Sequence, residues 1–357
     1  MSETKHSYCM NSTDEHDMLQ LMRGFAILLV ALQHSIVLYY DSYASMVLIS
    51  VCVFIDVHIF MFVSGYLFQK KSDEYSKIGI KRFAAKKFQS LGVPYLFWEC
   101  LFYFGAFILY RLPFSAPASL MNGLGFRKLS LPQILVGLLT FRYSYIQMYW
   151  FLFALFWVLI INYALSRYSD RIETMLLLFL IFSACTVLFK NDDYIFIKIS
   201  RSFLTFGFGR LFQKNRLAKP FFNNPVILIF SVFFLYFVYR IPVSFDNLFL
   251  HTTISSLRIA AIGISGALLF FCASSFLLVH KSILTRLMLL LGDYSLAIYL
   301  MHNPFIIHAS SIVFKKLSLP NAVSNVLSIT LGISVPILLY KYVIKKSAFL
   351  SRLMIGV

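Results

Sequence analysis

A chain of 357 residues that is 59% hydrophobic and only 13% charged, with mean hydropathy +0.77, is not a soluble domain, in which about 25% of residues carry charge. Its net charge of +17 reads as basic loops beside anionic lipid rather than as a nucleic-acid surface. Five cysteines (Cys9, Cys52, Cys100, Cys185, Cys272) stand singly, without metal-ligand or disulfide spacing, so no metal centre is expected.

The apolar runs predict an all-α polytopic membrane protein with about ten transmembrane helices. The spans fall near 21–41, 46–68, 91–112, 146–165, 172–189, 195–212, 222–240, 255–279, 288–313 and 322–344. Residues 1–20 are a polar N-terminal segment without the layout of a signal peptide, 21–345 a membrane domain, and 346–357 a short tail. Basic residues collect in alternate loops: Lys70 to Lys87, Arg167 and Arg171, Lys214 to Lys219, Lys281 and Arg286, and Lys345 to Arg352. By the positive-inside rule both termini are then cytoplasmic. The long loop 113–145, with Arg127, Lys128 and Arg142, is the exception.

The first span holds two residues foreign to a membrane helix, Arg23 and His34. Eleven positions at ~100° each make three turns plus ~20°, so both lie on one face, ~16 Å apart along the axis. Arg23 alone reads as a snorkelling anchor and His34 alone as a helix-to-helix hydrogen bond. Together they read as a reaction face, because ionisable groups at membrane depth mark pathways and sites. The imidazole would act as base or nucleophile, and the arginine would hold a phosphate-like anion.

In the second span, Asp56 and His58 are two apart and point to different faces. Ser64 and Gly65 suit either close helix packing or backbone donation to a ligand. The basic run with Lys81, Arg82, Lys86 and Lys87 is a lipid-facing loop or a patch for a phosphorylated cofactor. Glu99 lies about a turn inside the third span, where it could pair with a basic group. Residues 134–139 of the long loop are too short to span and suit an interfacial or re-entrant piece. The aromatic run ending at Trp150 suits an interfacial belt before a platform for sugar rings. In the ninth span Pro304 should weaken the helix around 300–304, next to a second midplane imidazole, His302.

The ordered set Arg23-x10-His34, His58-x5-Ser64-Gly65-Tyr66, the basic stretch into Pro94-Tyr95, Tyr149-Trp-Phe-Leu152 and Gly292-x2-Ser295-x2-Ile298-Tyr-Leu-Met-His302 resembles the membrane-bound acyltransferase-3 family over about residues 18–345. That family O-acylates surface polysaccharides, lipopolysaccharide, Nod factors and some macrolides. The resemblance implies acyl-CoA, chiefly acetyl-CoA, as donor, ten core spans in the inner membrane, and catalytic roles for His34 and Arg23. Taken together with the residues read above, the donor is expected on Arg23, Arg82, Lys86, Lys87, Ser64 and Gly65, and the acceptor near His58, Glu99, Trp150 and His302. The family's Arg-x-x-Arg before the third span becomes Lys87-x-x-Ser90 here, so its second cation is missing. Members with a further hydrolase-like domain finish transfer outside the membrane; this chain would act directly on its acceptor or hand the acyl group to a partner protein. The expected activity is O-acylation, with acetyl as the expected group, of a cell-surface glycan or its lipid-linked precursor. The alternative is a transporter or flippase of a lipid-linked sugar.

Overall fold

The computed structural model describes residues 12–36, 43–111, 129–141, 144, 147–166, 172–189, 195–304 and 306–357. All regular structure among them is helical. The helices are α1 (Ser12–Ile36), α2 (Tyr43–Lys70), α3 (Ser72–Ser76), α4 (Ile80–Lys87), α5 (Val93–Leu109), α6 (Leu131–Thr140), α7 (Trp150–Ser166), α8 (Ile172–Leu188) and α9 (Ile195–Lys214). After the single turn Ala218–Phe221 they continue as α10 (Pro225–Arg240), α11 (Leu248–His280), α12 (Ile283–Asp293), α13 (Ser295–Met301), α14 (Ile307–Lys316), α15 (Asn321–Tyr342) and α16 (Ala348–Met354).

Among the described residues, six helical runs are long and apolar enough to cross a membrane: Thr13–Ile36, Leu48–Lys70, Ile80–Ile108, Gln147–Ser166, Leu248–His280 and Asn321–Lys346. The bent pair α12 and α13 makes a seventh if it counts as one span. The remaining expected spans are present as helices that fall short on this measure. The apolar parts of α8 and α10 have fewer than 18 residues, and α9 carries Lys198, Arg201 and Arg210.

Several boundaries differ from the sequence reading, among them the start of the eighth span, which is Leu248 instead of 255. Helix α1 begins at Ser12 instead of Leu21. Met18 and Leu19 are buried, and Glu15 accepts hydrogen bonds from the Tyr66 hydroxyl and Lys70 Nζ, each at 2.7 Å. The third span is continuous with α4 through a π-helical turn, Phe88–Gly92. The ninth is three pieces rather than one weakened helix. The chain turns by 63° between α12 and α13, and it breaks again after His302, where the Ile307 amide bonds back to the His302 carbonyl at 2.8 Å. Pro304 has no N–H to carry a helical ladder through this second break. The segment of the long loop expected to be too short to span is α6, a ten-residue helix with a Ser130/Gln133 capping box.

Lipid tails are as apolar as leucine, so association of these helices depends on close contact and polar pairing. One backbone-to-backbone crossing joins α1 to α12. A Cβ on Gly24 would strike the Met288 carbonyl, and one on Gly292 would strike the Gln20 carbonyl. Two glycines, one from each helix, therefore let the backbones touch. Farther along, Ser35 of α1 bonds to Asn325 of α15. Helix α13 and the 3₁₀ turn Gln147–Tyr149 that leads into α7 are joined by reciprocal tyrosines. The Tyr149 hydroxyl donates to the Leu300 carbonyl at 2.7 Å, and the Tyr299 hydroxyl donates to the Met148 carbonyl.

Placing a branched side chain at the crossing forces the backbones apart. Gly24→Val is expected to cost ~1–3 kcal/mol or more, seen as a lower melting temperature of the purified protein in detergent. Gly105→Ala is the control, because a Cβ there meets open space.

Candidate active site

Helix α1 supplies two stations. At the N-terminal one, Arg23 Nη1 donates to Gln20 Oε1 at 3.1 Å, and Gln20 Nε2 donates to Asp293 Oδ1 at 3.1 Å. Gln20 therefore links the arginine to the end of α12. Arg23 faces a cavity of about 580 Å³, within the ~300–1,000 Å³ usual for small-molecule sites. Its wall includes Ser64 of α2, Lys70 and Lys71 at the end of that helix, Tyr75 of α3, and Lys87 and Ser90 around the π turn. The site thus gathers Arg23 and three lysines on one concave surface that also has an apolar side, formed by Leu19, Leu67, Leu155 and Leu159.

Lys87 is held in place. Its Nζ donates to the Tyr75 hydroxyl at 3.3 Å and lies 5.4 Å and 5.5 Å from the centroids of the Tyr75 and Phe83 rings, a cation–π arrangement. Burial, and then the Glu74 carboxylate, push the Tyr75 phenol above its usual range. It stays neutral and keeps an oxygen lone pair for the ammonium.

The second station is the far end of α1. The His34 and His302 rings lie 5.2 Å apart, centroid to centroid. The Asn303 amide nitrogen sits 3.4 Å from His34 Nδ1. His302 is fully buried, and its Nδ1 lies 2.8 Å from the Ile298 carbonyl and 3.0 Å from that of Tyr299. His34 therefore lies directly against the broken segment 283–303, and Arg23 reaches it through Gln20.

The other candidates separate. Arg82 and Lys86 are exposed on α4 and do not line the cavity. Gly65 serves packing, because a Cβ there would meet the Phe206 carbonyl of α9. His58 is buried with its Nδ1 2.9 Å from the Thr205 hydroxyl of α9. Glu99 has no basic partner in the hydrogen bond it makes: it accepts from the Ser144 hydroxyl at 2.6 Å, and its second oxygen is buried without a partner among the described residues. Trp150 lies 5.2 Å under the Lys198 ammonium. Sequence reasoning passed over Gln20, Tyr75 and Asn303. Gln20 sits one helical turn before Arg23 and Asn303 directly follows His302, so both were within reach of the motifs; Tyr75 carried no signal.

An acyltransferase-domain family model, Acyl_transf_3, matches residues 17–341. The chain belongs to that family. The match takes in both stations of α1, the cavity wall and the broken segment, and with the apolar helices it makes the protein a multi-pass membrane acyltransferase. Comparison with curated proteins and with solved structures found no match.

Ser144→Ala removes the partner of a buried carboxyl group. It is expected to destabilise the protein by ~1–3 kcal/mol, and Glu99→Gln by less, because the amide can still accept from Ser144. Thermal melts of the two variants in detergent check the order.

Proposed function

We propose that the protein transfers an acetyl group from acetyl-CoA to a hydroxyl of a cell-surface glycan or its lipid-linked precursor. The observation that carries this reading is the cavity that collects Arg23, Lys70, Lys71 and Lys87 around an apolar wall at one end of α1. A phosphorylated carrier with a slender, largely uncharged arm calls for such a surface. Arginine binds phosphate oxygens bidentately, and the lysines add point charges. The missing second arginine of the motif, at Ser90, is offset by lysines that face the same space. Arg82 and Lys86, exposed on α4, are better placed to attract the anion from solution or to meet anionic lipid.

In this reading both termini and the basic cavity lie on the cytoplasmic side of the inner membrane, where acyl-CoA is made. The thioester is carried along α1 toward His34, ~16 Å from Arg23 by helical rise. His34 is the imidazole at which the acyl group leaves sulfur for the acceptor. Acetyl-CoA and the glycan enter as substrates, and no metal takes part. A partner protein completing the transfer outside the membrane is compatible with the scheme.

The test is acetyl-CoA binding and turnover by the full chain in nanodiscs. Arg23→Ala is expected to weaken binding ~10–100-fold, the worth of one or two charge-assisted hydrogen bonds. Lys87→Ala should do so less strongly, and both effects should shrink as salt rises. His34→Ala should bind acetyl-CoA normally and lose turnover by ~10²–10⁴. Wild-type protein that neither binds nor consumes acetyl-CoA overturns the proposal.

A further inference from the structure

We infer that His302 is a second catalytic residue, the group that takes the proton from the attacking hydroxyl, while His34 donates to the thioester carbonyl oxygen. The inference rests on the reading above and divides the chemistry between two imidazoles. The carbonyls of Ile298 and Tyr299 only accept hydrogen bonds. A ring nitrogen 2.8 Å and 3.0 Å from them therefore carries the proton, and the lone pair of neutral His302 is on Nε2. That atom is fully buried and has no hydrogen-bond partner among the described residues. A buried polar atom is normally satisfied, so an unsatisfied base beside the second imidazole calls for a role.

His34 has the complementary form. Its Nδ1 faces the Asn303 –NH2, which only donates, at 3.4 Å. This leaves the His34 proton on Nε2, a donor. Two neutral rings 5.2 Å apart thus present one acceptor and one donor. His34 is partly exposed and His302 is not, so His34 is on the open side.

The chain fixes the pair from outside. The α13 carbonyls that orient His302 lie beside the Leu300 carbonyl, which Tyr149 holds at 2.7 Å from the turn that leads into α7. Ile307 N closes the break on the His302 carbonyl. Neither ring depends on the other for its orientation.

In the step itself, the acceptor O–H bond breaks to His302 Nε2 as its oxygen bonds to the thioester carbon, and His34 Nε2–H donates a hydrogen bond to the developing oxyanion. The carbon–sulfur bond then breaks, the sulfur leaves as thiolate, and it takes the proton held by His302. Alcohol and thioester give ester and thiol.

The test uses full-length protein in nanodiscs with acetyl-CoA as donor and two acceptors, water and hydroxylamine. Hydroxylamine attacks as the neutral amine and needs no base to generate it. His302→Asn keeps an amide donor for the two carbonyls and removes the base. It is expected to melt near wild type, bind acetyl-CoA within threefold, and lose turnover to water by ~10²–10⁴. With hydroxylamine its deficit should shrink at least tenfold, whereas the deficit of His34→Ala should not. His302→Gln, which places an amide nearer the Nε2 position, is the second variant should the first fail to fold, and the same pattern is expected. Either variant folding and turning over water at the wild-type rate overturns the inference. So does an equal loss with both acceptors, which is what a merely structural residue would give. In each of these cases wild-type turnover and the Arg23 and His34 effects stand, so the function reading survives. Wild type inert toward acetyl-CoA overturns both.

Discussion

The contact on which the rest depends is the backbone-to-backbone crossing of α1 and α12. In a bilayer there is no hydrophobic force between apolar helices, so association favours surfaces that approach closely enough for dispersion and polar pairing. Gly24 and Gly292 provide that approach from opposite sides. Once α1 lies against α12, Gln20 meets Asp293 at one end of the crossing, and His34 meets His302 and Asn303 farther along. A larger separation would cost both polar contacts at once. Helix α1 is the rule along which Arg23 and His34 are measured, and α12 to α13 is the surface that rule lies on.

The polar groups at depth divide by how they are satisfied. Thr205 closes on His58 from a neighbouring helix, the usual fate of a hydroxyl or imidazole with no water at hand, whereas Ser144 satisfies one oxygen of Glu99 and the other has no partner among the described residues. His302 is satisfied on one side only. The Arg23 station is different again, being open to a cavity with more cations on it than nearby carboxylates can balance. Enclosed hydrogen-bonded groups shape the bundle; half-satisfied and cationic groups are left to bind something else.

Much of this was legible in the sequence. The shared face of Arg23 and His34 follows from helical period alone, because the span is long and regular enough for ~100° per residue to hold over three turns. The ordered motifs carried the family. The disruption near His302 followed from proline chemistry, but the 63° turn at Tyr294 did not, because no proline marks it. The number of bilayer-length spans was harder still. Helices α8, α9 and α10 were readable as helices, yet hydropathy cannot say how a short or charged apolar helix sits among its neighbours. The two roles open to Ser64 and Gly65 were equal by spacing, and only the partner helix separates them: Phe206 of α9 abuts the glycine, and the serine faces the cavity. The basic run could not be sorted by sequence, since whether a lysine on a short helix faces a cavity or solvent depends on the helix behind it.

The π turn at Phe88–Gly92 bears on how such sequences are compared. A π turn holds one residue more than an α turn, so everything before it is rotated by ~100° relative to everything after it. Lys87 and Ser90 reach the same cavity from within this offset, while Glu99, beyond it, points into the bundle toward Ser144. A ruler of 3.6 residues per turn laid across 88–92 therefore assigns the wrong face to one side or the other. Residue-by-residue equivalence with relatives through this stretch holds only where they share the extra residue. A relative that lacks it would bring a cation to the same point in space from a position one place away in the alignment.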